Sequence, residues 1–208
     1  MSNSQLPDGQ LHSRFSNKPC NIPAICLVDT NVFLGAGPGI ATYKNKGQLE
    51  CVQCCLKVMN WIAENEIQTI VLDGTMGTSE IFDEYCHLLN PYGGQSLAEQ
   101  ILRQLLATGR FQYRKITKND GLEYEYAEFP DHRGLQDFDG ADRKFIAVAN
   151  ADEPHLPILQ SMDGKWWRWA KPLHEIGIEI LFNHPDYAKE NCKAKNGCNK
   201  ADCSVCEL

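Results

Sequence analysis

The chain has no run of about 18 apolar residues, the minimum for a helix that crosses a bilayer, so no membrane span is expected. It has no basic excess either: 20 Lys and Arg stand against 27 Asp and Glu, a net charge of −7. No chain-wide positive field would therefore draw in nucleic acid. A clustered acid site would itself supply several of those negative charges, so the balance does not exclude a metal-dependent nuclease. The polar opening, Met1 to Lys18, lacks a hydrophobic signal core, and a cytoplasmic protein is expected. The six His residues form no HExxH or other ligand pair, and none is assigned to chemistry. The loop Gly35-Ala-Gly-Pro-Gly39 lacks a GK[ST] ending, which argues against a phosphate-cradling P-loop.

What the chain does have is 208 residues, 43% of them hydrophobic, enough for one domain with appendages. Ten cysteines in a cytoplasmic protein are expected to be reduced or metal-bound rather than disulfide-linked. Residues 1–22 read as a flexible polar lead-in, 23–183 as the folded domain, and 184–208 as a small, polar, Cys-rich tail.

Apolar runs that read as strands are Ile25–Val28, Ile67–Asp73, Phe111–Ile116, Pro157–Asp163 and Ile176–Phe182, the second and fourth ending on their acid. Between them, helical spacing runs over Gln48–Asn65, from a Ser79 cap to about Leu89, over Leu97–Leu106 and over Asp139–Ala149, with a short helix at Trp166–Leu173. Residues 117–138 show no period and read as a long loop. Strands alternating with helices predict an α/β protein: a mainly parallel sheet sandwiched between two helical layers.

Several of these elements end or begin on an acid. Asp29 follows the first strand, where open α/β sheets place their ligand crevice. Asp163 ends the fourth. On the Ser79 helix the apolar stripe is Ile81, Phe82, Tyr85, Leu88 and Leu89, and Glu84 falls at its edge, half turned inward. Asp142 lies one turn before Phe145 and Ile146, on the side facing the core. Four neighbouring carboxylates cannot all stay ionised without compensation, and a hard divalent cation with oxygen ligands, Mg²⁺ or Mn²⁺, supplies it.

Each residue also has a plainer role. Asp29 and Asp163 could be turn formers, and Glu84 a solvated helix edge with Glu80 as the rival ligand. Asp142 could be the third residue of a capping box opened by Asp139. Asp73 reads as a turn residue able to reach the rim. Asp139 reads as a cap first and as a candidate for orienting the acids second. Arg143, Lys144, Lys165 and Arg168 stand near the acids in sequence and could meet RNA phosphates. Trp166, Trp167 and Trp169 are assigned to packing ahead of base stacking. Cys51, Cys54 and Cys55 read as core thiols. The tail series Cys192-x5-Cys198-x4-Cys203-x2-Cys206 could form a Cys₄ zinc knuckle, an iron–sulfur site, or neither.

Val28-Asp29-Thr30-Asn31, Ile81-Phe-Asp-Glu84-Tyr85, Asp142-Arg-Lys-Phe-Ile-Ala-Val-Ala149 and Leu159-Gln-Ser161-Met-Asp163, in that order, resemble the PIN-domain ribonucleases over roughly 25–182. The resemblance implies an α/β/α sandwich whose four acids, here Asp29, Glu84, Asp142 and Asp163, hold Mg²⁺ or Mn²⁺ and cut single-stranded RNA. It also places Asn31 and Ser161 at polar positions that orient those acids or the metal's water, and it further implies a homodimer and an inhibitory or guiding protein partner. Length, the 117–138 loop and the Cys-rich end set this chain apart from the family's small toxins. Two other classes compete. One is a non-catalytic RNA- or protein-binding module on the same fold. The other is a phosphatase with a strand-end Asp nucleophile; the dehalogenase-like kind wants a second Asp two residues on, where this chain has Asn31.

Overall fold

Four residues, Ile25–Val28, make the middle strand, β1, of a five-stranded sheet. The computed structural model describes residues 22–37, 45–119, 121 and 124–195. β1 pairs on one side with β2 (Thr69–Asp73) through Ile25↔Thr69 and on the other with β4 (Ile158–Gln160) through Leu27↔Ile158. β3 (Phe111–Arg114) lies outside β2, and β5 (Ile180–Phe182) outside β4. Every pairing is parallel and the order is β3-β2-β1-β4-β5. The continuous apolar character of β1, β2 and β4 is what a parallel sheet covered on both faces requires.

The chain moves from β1 to β3 in one direction along the sheet, then crosses back to β4 and β5. Right-handed crossovers turn that reversal into two helical layers. One holds α1 (Thr30–Gly35), α2 (Lys46–Glu64) and α4 (Leu97–Ala107), which touch one another; the other holds α5 (Arg143–Asn150) and α6 (Lys165–Glu175), where Phe145 meets Trp166 edge-on. α3 (Glu80–Leu88) packs against β2, α1 and α5. The α/β sandwich expected from the alternation is thus present.

Local chemistry sets the helix starts. Asn45 caps α2 by accepting from Gln48 N at 2.8 Å, and Ser96 with Glu99 forms a full capping box on α4. Asp73 is buried and accepts from Ser79 Oγ at 2.6 Å and from the backbone N–H groups of Glu80 and Ile81 at 2.9 Å. Those bonds use up its oxygens, so this strand-end acid serves the start of α3. Trp166, Trp167 and Trp169 are buried, as the packing assignment requires, each worth about 2–3 kcal/mol of transfer free energy.

The described residues of 117–138 form the expected irregular loop, tied down where Lys118 bridges Tyr126, Asn150 Nδ2 donates to Glu128 O at 2.9 Å, and a 3-10 turn forms at Arg133–Leu135. One feature differs from the sequence reading. The stretch after Asn183 is not a loose tail from its beginning. It forms α7 (Pro185–Lys195), whose Ala188 and Cys192, one turn apart, are fully buried. The folded domain therefore extends past 183. Cys198, Cys203 and Cys206, and nearly all of the 1–22 lead-in, lie outside the described residues.

Candidate metal centre at the carboxyl edge of the sheet

The sheet's direction of travel reverses between β1 and β4, the switch point beyond whose carboxyl ends open α/β sheets place their ligand sites. Asp29 follows β1 directly and is 2% exposed. It caps α1, accepting from Asn31 N at 2.8 Å, and the Asn31 side chain bonds to it as well. Asn31 thus orients the acid as expected. Burial, followed by the charge of Asp142, pushes the Asp29 carboxyl up from 3.8 to about 8; Glu84 adds to the push, and the Asn31 bonds oppose it.

Glu84 reaches this site from α3. Thr30 Oγ1 donates to its Oε1, and Lys144 Nζ stands 2.6 Å from its Oε2. Glu80, the rival ligand, is taken elsewhere: it accepts from Tyr126 OH at 2.9 Å and pairs with Lys118 at 2.7 Å. The inward phase assigned to Glu84 is the observed one. Beneath it, Tyr85 OH donates to Val28 O, fastening α3 to the strand that delivers Asp29.

Asp142 closes the 3-10 turn Gly140–Asp142 that leads into α5. It makes no side-chain capping bond to α5; instead its Oδ2 accepts from Trp166 Nε1 at 3.1 Å. The capping-box alternative is not adopted. Burial raises its carboxyl from 3.8 to about 6; Lys165 opposes that rise, while Asp139 and Asp163 add to it. Asp163 follows β4, accepts from Lys165 N at 3.0 Å, and lies 3.5 Å from Lys165 Nζ. Asp139 caps the 3-10 turn through Ala141 N at 3.2 Å and is ion-paired to Lys165, which holds its carboxyl below the usual value. The chain therefore carries its acids to one edge: Asp29 feels Asp142 and Glu84, and Asp142 feels Asp139 and Asp163.

The expected companions fare unevenly. Ser161 does not meet the acids in any bond described. Its hydroxyl lies 2.8 Å from Cys55 Sγ and 3.6 Å from Cys51 Sγ, and Asn183 Nδ2 donates to Cys55 Sγ at 3.1 Å. Its place is therefore a buried polar knot against α2, where Cys51 and Cys55 are core thiols as read. Arg143 is paired with Glu125 and lies 4.8 Å from the Phe129 ring centre; only 14% of its side chain is exposed. Lys144 is buried on Glu84 and on Ala141 O at 2.6 Å. Neither is placed to greet a phosphate from solvent. Lys165 and Arg168, each about two-fifths exposed, are at the surface, Arg168 on Asp137. Cys192, the first thiol of the expected Cys₄ series, is buried on α7; Cys198, Cys203 and Cys206 lie outside the described residues.

Sequence reasoning missed Thr30, Trp166 and the inner role of Lys144. Thr30 had a signal, since the residue after a strand-end Asp begins the next helix beside it. Lys144, two residues after Asp142, reads in sequence as a phosphate contact or a solvated surface cation, and neither reading puts it on a buried-side carboxylate. No three of the described His, Cys, Asp and Glu residues form a ready-made cluster for an ion. The donor chemistry nonetheless fits a hard cation: all oxygens, with two carboxyls held above their normal range by burial and by neighbouring acids. Compared with family models, curated proteins and solved structures, the chain matches none.

Proposed function

We propose that the chain is a metal-dependent endoribonuclease that hydrolyses phosphodiester bonds in single-stranded RNA. The observation that carries the proposal is the convergence of Asp29, Glu84, Asp142 and Asp163 beyond β1 and β4, where burial and mutual repulsion lift Asp29 and Asp142. The four-motif resemblance to PIN-domain ribonucleases points the same way. Asp29, Glu84, Asp142 and Asp163 would hold Mg²⁺ or Mn²⁺. Such an ion, when bound, activates water and steadies the charge developing on the phosphate.

The chain's own residues prepare the site. Asn31 fixes Asp29, Thr30 and Lys144 fix Glu84, and the Trp166 indole fixes Asp142. Phe33, Tyr85 and Trp166, beside these residues in the chain or in contact with them, are buried. Lys165 and Arg168 are the cations left at the rim to meet RNA phosphates. Cys26, Cys51, Cys54, Cys55 and Cys86 carry no disulfide, which agrees with a cytoplasmic setting. Among the described residues no helix is long and apolar enough to cross a membrane. A homodimer and a protein partner belong to the proposal through the resemblance alone.

A second reading has its own observation. Lys144 and Lys165 already place ammonium groups among these acids, which suits a module that binds RNA or protein without cutting. Incubating labelled single-stranded RNA with Mn²⁺, with and without EDTA, beside Asp29→Asn separates the cases. Cleavage lost in both controls supports the nuclease; a gel shift without cleavage sinks it in favour of the binder. Turnover of small phosphomonoesters alone would favour the phosphatase.

A further inference from the structure

We propose that α7 is a working part of this centre, and that Asn191 is a positioning residue for Asp163. The inference rests on the reading of Asp163 as an ion-holding acid. It starts from the short link Ser161–Gly164 between β4 and α6, whose backbone sets the direction of the Asp163 carboxylate. Two independent contacts from one turn of α7 grip that link on either side of Asp163. Before it, Asn191 Nδ2 donates to Met162 O at 2.7 Å. After it, Gly164 lies against the α7 backbone: a Cβ there would stand 2.5 Å from Cys192 N and 2.8 Å from both Ala188 O and Asn191 C. No side chain fits between the two backbones, and none of the three atoms can swing aside.

The grip is braced from both ends. Ala188 and Cys192 are fully buried, so α7 cannot slide without opening the core. Met162 Cε lies 3.6 Å from where a Cβ on Gly35 would stand, so its side chain rests near the end of α1, the helix that Asp29 caps. The link is thus held between α7 and the element that begins at the first acid. Metal–oxygen distances tolerate only about ±0.2 Å. Partners one step behind a ligand typically change ion affinity ten- to a hundredfold when removed. A helix that looks like an appendage to the sheet therefore sets the aim of one of the four carboxylates. The Cys-rich residues after Lys195 continue directly from it.

The test is titration calorimetry of the full chain with Mn²⁺, with thermal unfolding of each variant recorded alongside. Asn191→Ala is expected to bind Mn²⁺ about tenfold more weakly than wild type. Asn191→Asp, of the same shape but without the N–H donor, is expected to do so as well, which keeps the result from depending on one variant that folds. Leu102→Ala, a core truncation in α4, is the control: it lowers the melting temperature at least as much and is expected to leave Mn²⁺ affinity alone. Wild-type affinity in both Asn191 variants overturns the inference while leaving the metal centre standing. Weakened affinity in Leu102→Ala in step with its lost stability overturns it too, because the effect would then be general loosening. Wild-type protein that takes up no Mn²⁺ overturns the metal centre, and this inference with it.

Discussion

Removing the charge of Asp29 should make the protein more stable and less able to hold an ion. The unfolded chain releases the Asp29 proton near 3.8, the folded one only near 8. Between those values the folded chain keeps a proton that the unfolded chain has lost, so this group's contribution to stability falls as pH rises through that window. At 1.36 kcal/mol for each pH unit, the gap sets a ceiling of roughly 5–6 kcal/mol by pH 8. Burial is the larger cause of that gap and Asp142, which titrates together with Asp29, the second, so on the order of 2–3 kcal/mol is expected from Asp29 alone. For a chain of this length that is about 5–10 °C in melting temperature. Asn at position 29 keeps an oxygen for Asn31 N and loses the charge. Differential scanning calorimetry at pH 4.5, 6 and 8 should therefore show Asp29→Asn gaining on wild type as pH rises, with almost no difference at the acid end. Mn²⁺ at about a hundred times its dissociation constant should add roughly 2.7 kcal/mol to wild type and far less to the variant. A variant less stable than wild type at pH 8, or a difference that ignores pH, would refute the reasoning.

Three further outcomes follow from the geometry. Trp166→Phe deletes the 3.1 Å bond to Asp142 and is expected to weaken Mn²⁺ binding about tenfold, from the ~1.5 kcal/mol of a hydrogen bond to a charged acceptor; calorimetry with unchanged affinity would dismiss that role. Lys165→Met removes the chief influence holding Asp142 down, so carbon-detected NMR should see its titration move above about 6. A downward move would contradict the placement of Lys165. Arg110 ties β3 to α2 through Gln68 O at 2.8 Å, Ile62 O at 2.5 Å and Asn65 O at 2.8 Å. Arg110→Met should lower the urea midpoint by an amount worth about 2–4 kcal/mol while leaving Mn²⁺ affinity as it was.

The part of the site that could be read from the sequence is the part that obeys a period. β1 announces itself as an apolar run, and Asp29 as its last buried residue. The 100° step of a helix brings Glu84 nearer than Glu80 to the apolar stripe, and the structure gives them different neighbours, Thr30 and Lys144 for one and Tyr126 and Lys118 for the other. What could not be read depends on who meets whom across the fold. The expectation that Ser161 orients the acids comes from its match to a polar position of the resembled family. Its bonds run to α2, since the thiol that reaches its hydroxyl is 106 positions earlier. α7 hid for another reason. Its composition is polar, it is fixed mainly by Ala188, Cys192 and a backbone-to-backbone approach on Gly164, and such an approach leaves no trace in a hydrophobic pattern. Lys144 carried a charge that suggested RNA, yet its neighbour in space is a carboxylate.

The strand order β3-β2-β1-β4-β5 also governs when this edge can exist at all. Thr30 and Glu84, which meet there, are 54 positions apart, and Asp142 and Trp166 another 24. Closing such spans takes time, because contacts remote along the chain reward the polypeptide only after the entropy of bringing them together has been spent. β1 cannot have its second neighbour until β4 has been made and docked. A growing or half-folded chain therefore carries its carboxylates dispersed, and whatever reactivity the edge has arrives in the last act of folding.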